Sequence, residues 1–183
     1  MKIKLKNVRL AFPDLFVPTA FTEGQEKKYG ATFLLPKDHP DVKVVEDAIM
    51  KVATETWGDD AENIVSSIRG NNQKFCFIDG DTKSLDGYAG CMALSAKSAK
   101  RPLVIDRDKT PLTADDPIPY AGCYVYGSIE IWAQNNQWGK GIRASLAGVQ
   151  YYRDGDAFTA GAVASPDEFD DLSEGSDDVD DLC

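Results

Sequence analysis

The segment Tyr120–Arg153 constrains this chain more than any other. Two long alternating runs flank Asn135-Asn136-Gln137, with glycines at Gly139 and Gly141, which is the pattern of a β-hairpin. Side chains alternate faces along a strand, so Cys123, Val125, Ile129 and Ile131 point one way. Tyr124, Tyr126, Ser128, Glu130 and Trp132 point the other. One side belongs in a core, and the other offers aromatic and polar groups for contact. The return run adds Arg143 and Arg153, with Lys140 at the turn. Rings among cations on an open sheet suit single-stranded nucleic acid, because bases stack and phosphates seek charge. The same residues also satisfy a blander rule, that Tyr and Trp favour strands.

Charge is unevenly distributed. The net charge of −10 would argue against a nucleic-acid partner if it were spread over the surface. All 20 Lys and Arg precede residue 154, against 19 acids there, leaving a body of net +1. The last 30 residues carry 11 acids and no base. From about residue 160 the composition cannot build a core, so residues 161–183 are expected to form a disordered acidic tail behind a domain of residues 1–160.

The 183 residues are enough for one domain with a real core. No apolar run reaches the roughly 18 to 20 residues that span a bilayer, and MKIKLKNVRLAF lacks the apolar stretch of a signal peptide. A soluble, intracellular protein with no membrane contact is expected. Cys76, Cys91, Cys123 and Cys183 form no CxxC, and His39 is the only histidine, so no metal site is expected. Three of these cysteines sit in apolar segments and read as small buried hydrophobes.

Along the chain, residues 2–12 read as a strand with Lys2, Lys4 and Lys6 on one face. The apolar phase shifts to Val8, Leu10 and Phe12, which calls for a bulge near Lys6-Asn7. Pro13–Gln25 reads as a loop. The second strand, residues 27–36, places Tyr29, Ala31, Phe33 and Leu35 opposite Lys28, Gly30, Thr32 and Leu34, and Gly30 marks a bulge or a close backbone approach. His39-Pro40-Asp41 opens a helix with Val42, Val45, Ile49, Val52 and Ala53 at helical spacing, ended by Gly58. A short second helix over 60–69 buries Ile64 and Ile68. Strands follow at 75–78, 91–97 and 103–105. DGDTKSLDGYAG resembles a calcium loop only superficially, since Lys83 and Gly90 stand where ligands belong. Lys97, Lys100 and Arg101 make the densest basic cluster, suited to holding phosphates beside an aromatic sheet.

Catalytic chemistry is missing from this pattern. A lone capping histidine leaves no Ser-His-Asp or Cys-His pair, and Gly139-Lys140-Gly141 lacks the spacing and following helix of a phosphate-binding loop. The chain is read as non-enzymatic, with no cofactor.

KYGATFLLPKD before a proline-started helix, then AKRP, then YAGCYVYGSIEIWAQNNQWGKGIRASLAGVQYYRDGDAF and an acidic tail, resembles the tailed-phage single-stranded DNA-binding proteins over roughly residues 3–160. The resemblance implies an OB-fold: a mainly β, five-stranded, partly open barrel with a helical insertion. It further implies sequence-independent binding of single-stranded DNA, work in phage replication or recombination in the cytoplasm of the infected host, and an acidic tail that competes for the DNA groove and recruits phage or host replication and recombination proteins. Tails of this type often finish on an aromatic residue, whereas this one ends Leu182-Cys183. Tyr29, Tyr124, Tyr126, Trp132 and Trp138 are the expected stacking residues. Lys4, Lys6, Lys97, Lys100, Arg101, Lys140 and Arg143 are the expected phosphate contacts. A homodimer is compatible with this reading. The competing reading is a phage structural or assembly protein that uses the aromatic face as a subunit interface.

Overall fold

Residues 1–20, 23–137, 139–158, 169, 170, 172 and 173 are described by a computed structural model. Along the chain lie β1 (Lys2–Thr19), β2 (Lys28–Pro36), α1 (Pro40–Trp57), α2 (Ala61–Ile68), β3 (Phe77–Asp79), β4 (Cys91–Ser98), β5 (Leu103–Ile105), β6 (Tyr124–Asn136) and β7 (Gly139–Arg153). β1 pairs antiparallel with both β2 and β6, β2 with β4, and β6 with β7. A parallel bridge between Lys97 of β4 and Ser145 of β7 completes the circuit. The result is a five-stranded OB-type barrel, with α1 and α2 inserted between its second and third strands. No helix among the described residues is long and apolar enough to cross a membrane.

The hairpin's parity is as expected. Cys123, Val125, Ile129 and Ile131 are fully buried in the barrel with Leu5, Phe33 and Leu94. Gly127 shares that face. A Cβ there would stand 2.8 Å from the Phe33 ring, so the missing side chain is what admits the ring to the barrel axis. Gly30 marks close approach, since its Cβ would meet the Ala96 carbonyl at 3.2 Å.

The bulge in β1 falls at the expected place. Asn7 has φ 54°, and the β1–β6 register shifts between Leu5 and Val8. A bulge frees backbone groups that need partners, and α1 supplies them. Asp41 Oδ2 accepts from the Lys6 N–H at 2.7 Å, and His39 Nε2 donates to the Lys6 carbonyl at 2.9 Å. His39 Nδ1 then accepts from the Asp41 N–H at 3.0 Å and caps the helix. The histidine is therefore a cap that also fastens helix to barrel.

Three local expectations need correction. Pro13–Thr19 is not loop but a continuation of β1. Pro13 is tolerated because it sits at a register shift between Ala11 and Asp14, where the ladder needs no donor from it, and Leu15 behind it is buried. In α2 the buried positions are Ala61, Val65 and Ile68, while Ile64 is only half-buried. Phe75 and Cys76 precede β3 and instead attach to β7, through a Phe75–Ile142 bridge and a Cys76 N–H bond to the Ile142 carbonyl at 3.0 Å. Asp79 and Asp81 both face Lys37, at 3.0 and 2.5 Å. Hydrogen bonds from the Asp81 N–H to Asp79 and from the Gly90 N–H to Asp81, and after them Lys37, lower the two carboxyl pKa values, while Asp81 and Asp79 raise that of the amine.

After β7 the chain doubles back. The Tyr120 hydroxyl lies 3.0 Å from Asp154 Oδ1, and the Tyr151 hydroxyl donates to the same oxygen. Arg9 Nη2 donates to the Asp156 carbonyl at 2.5 Å, and its guanidinium lies 4.0 Å from the centre of the Phe158 ring. These contacts clasp residues 154–158 to the barrel wall.

Candidate nucleic-acid interface

Where β4 meets β7, the outer faces of four strands form a groove of about 560 Å³. Lys28 of β2, Lys97 of β4, Lys100 just beyond it and Arg143 of β7 line it, with Trp132 and Gln134 from β6. Asn72 and Cys76 lie at the end nearest the helical insertion. No acid contributes to this lining among the described residues, so the groove is cationic although the chain is acidic. Burial pushes the Cys76 thiol up to about 12, so it adds no negative charge.

Trp132 is 41% exposed, the most accessible of the described tryptophans. Its indole N–H donates to Ser145 Oγ at 3.0 Å. That bond uses the only polar group of the ring and fixes its plane, which leaves a π-face that accepts any base equally. Arg143 is its cross-strand partner and donates through Nε to Gln134 Oε1 at 2.9 Å. With Nε engaged, the two Nη groups of the guanidinium fork remain for an anion such as phosphate. A ring locked by one side chain and a cation locked by another thus stand side by side on adjacent strands.

Of the expected residues, the structure brings Trp132, Lys97, Lys100 and Arg143 together in this groove. Lys4 and Tyr126 share a separate, smaller cleft on the same face. Tyr124 has the Arg153 guanidinium 3.8 Å from its ring centre. Tyr29, half-buried, has the inward parity of Ala31 and Phe33, and its register partner is Ser98. Lys6 lies at the bulge under α1, Arg101 stands 5.4 Å from the Phe16 ring, and Lys140 is exposed opposite Asn135 near the hairpin tip. Trp138 lies outside the described residues, as does nearly all of the acidic tail.

The sequence reading missed Lys28, Gln134 and Ser145. Lys28 was signalled by its alternation opposite Tyr29, but only the β2–β4–β7 pairing carries that face to the groove. Gln134 and Ser145 carry no charge or ring, and their value lies in what they hold.

An OB-type barrel with a fixed, exposed tryptophan among cations on its outer face belongs to the class of single-strand nucleic-acid-binding modules. A family model described as the ssDNA-binding protein of Enterobacter phage Enc34 matches residues 1–182, and this chain belongs to that family. The putative protein p50 of Acyrthosiphon pisum secondary endosymbiont phage 1 is 54% identical over 175 residues, covering 94% of this chain and 95% of its own. The single-stranded DNA-binding protein of bacteriophage Enc34, solved in complex with ssDNA, superposes with a TM-score of 0.71 at 28% identity, covering 86% of this chain and 89% of that one. The single-stranded DNA-binding protein gp2.5 of bacteriophage T7 shares the fold, with a TM-score of 0.56 at 16% identity over 90% of this chain and 99% of its own. The family is one of binding proteins and not of enzymes.

Proposed function

We propose that this protein binds single-stranded DNA without strong sequence preference and shields it during phage replication or recombination in the host cytoplasm. One observation carries this reading: a cationic groove on the outer face of an OB-type barrel, with Trp132 locked among Lys28, Lys97, Lys100 and Arg143. Phosphates lie along the cations, and a base stacks on Trp132. Membership of the Enc34 family, one of whose members was solved with ssDNA, supports it. The tail, with nine acids and no base from Asp167 onward, acts as a competing polyanion for the same cations and as a docking segment for replication or recombination proteins.

Fluorescence anisotropy with labelled oligothymidylate tests both parts. Full-length protein and a form ending at Ser165 both bind, and the shorter form binds more tightly at low salt. Equal affinity of the two forms removes the competing tail. Trp132→Ala weakens binding by about 5- to 150-fold, the equivalent of about 1–3 kcal/mol for one lost stack. Absence of binding by either form overturns the reading and assigns the aromatic face to subunit assembly.

A further inference from the structure

The groove does not account for the whole outer face of β6. Trp132 and Tyr126 share parity on that strand, six residues apart, which is about 20 Å at the usual rise. Between them, Ser128 pairs with Gly148, so at that position neither β6 nor β7 raises a large side chain. Glu130 is the one acid that β6 places there, and its partners across the two ladders are Lys2 and Ser145.

At the Tyr126 end of this stretch lies a cleft of about 170 Å³, bounded by Lys4, Tyr126, Leu103, Gly148 and Gln150. The Tyr126 ring is braced by Tyr152, with centroids 5.1 Å apart and planes at 51°. Lys4 Nζ stands 5.9 Å from the Tyr126 ring centre, and the Arg107 guanidinium lies 5.8 Å from that of Tyr152. Leu103, 60% exposed, forms an apolar wall opposite. The Gln150 amide donates to the carbonyls of Asp106 and Arg107 at 3.4 and 3.3 Å, tying the chain after β5 in place. No carboxylate lines the cleft among the described residues. A braced ring, an exposed apolar wall and a lysine within reach match a nucleobase with its phosphate, and the cleft shares strand β6 with the separate Trp132 groove.

We infer that the Tyr126 cleft is a second contact zone for the same DNA strand, taking a base against Tyr126 and a phosphate at Lys4 after the strand leaves the Trp132 groove. The inference rests on the proposed single-strand binding and adds a path to it. One protomer then engages a strand at two points along β6, and its footprint lies well above that of a one-groove site.

The test is photocrosslinking of the full-length protein to an iodouracil-substituted oligothymidylate of about 16 nucleotides, the upper footprint of one OB fold. Crosslinked residues are located by mass spectrometry. Crosslinks at Trp132 and at Tyr126 or Tyr152 are expected. Lys4→Glu, a change at an exposed side chain that leaves the core untouched, is expected to lower affinity for the same oligonucleotide about tenfold. Crosslinks confined to the groove, with Lys4→Glu binding normally, overturn the second zone and leave the groove reading intact. Loss of all crosslinks overturns the groove reading first. Tyr126→Ala that changes the sedimenting species while DNA affinity is unchanged assigns the cleft to a second copy of this chain, and likewise overturns the inference.

Discussion

Salt dependence gives the sharpest quantitative check on the groove, because its charge can be counted. Four cations line it: Lys28, Lys97, Lys100 and Arg143. Each phosphate neutralised on a single strand releases condensed counterions and contributes about −0.7 to the slope of log K against log salt. Full engagement of four cations gives a slope of about −2.8, which is a loss of about fifty-fold in affinity between about 50 and 200 mM salt. Lys100→Ala removes one contact from an exposed position at the end of β4, so its slope is expected to be about −2.1. Its affinity deficit is widest in dilute salt and closes as salt rises. Anisotropy titrations of full-length protein over that range read both quantities, with Lys51→Ala on the exposed side of α1 as the control that keeps the parent slope. A Lys100→Ala deficit of the same size at every salt concentration would refute phosphate contact by this lysine. A parent slope near zero would refute electrostatic recognition in the groove altogether.

Two further outcomes follow from packing and charge. Gly127→Ala places a methyl 2.8 Å from the Phe33 ring inside the barrel, an overpacking expected to cost about 1–3 kcal/mol, read as a lower urea midpoint. An unchanged midpoint would mean that the barrel has room there. Hydrogen bonds from Tyr151 and then Tyr120 hold the Asp154 carboxyl below its ordinary value. Its folded pKa lies under its unfolded one, so this carboxylate stabilises the clasp above about pH 4 and loses that effect as pH falls through the folded value. Asp154→Asn is therefore less stable than the parent near pH 6 and equal to it in stronger acid, by thermal melts across pH. A difference that stays constant with pH removes the charge from the explanation.

Residues close in sequence announced their roles. Alternation in Cys123–Trp132 separates core from surface, and the phase slip from Leu5 to Val8 marks the bulge at Asn7. His39-Pro40-Asp41 and Gly58 bracket α1, because capping and glycine's freedom at φ 59° are decided within one turn of chain. Pro13 misled for the same reason. Its local preference argues for a loop, while the tolerance that keeps it in β1 comes from a ladder irregularity shared with β2.

The candidate site divides in the same way. Its ingredients, a tryptophan on a polar strand face and a basic run at Lys97–Arg101, stand in the sequence with the parity they keep in the fold. Their assembly does not, because it depends on one parallel bridge, Lys97 to Ser145, across 48 positions. That closure carries Lys28 and Lys97 to the Trp132 indole, which the β6–β7 register already sets against Ser145. The β6–β7 register itself sets Tyr124 against Arg153, while Tyr126 opens onto its own cleft. Strand periodicity fixes which side of its own strand a residue occupies, because that is a property of the local backbone. Which strands lie side by side, and in what register, is settled by the whole barrel packing around Phe33, Leu94 and Ile129. Only that packing turns a set of compatible faces into a groove.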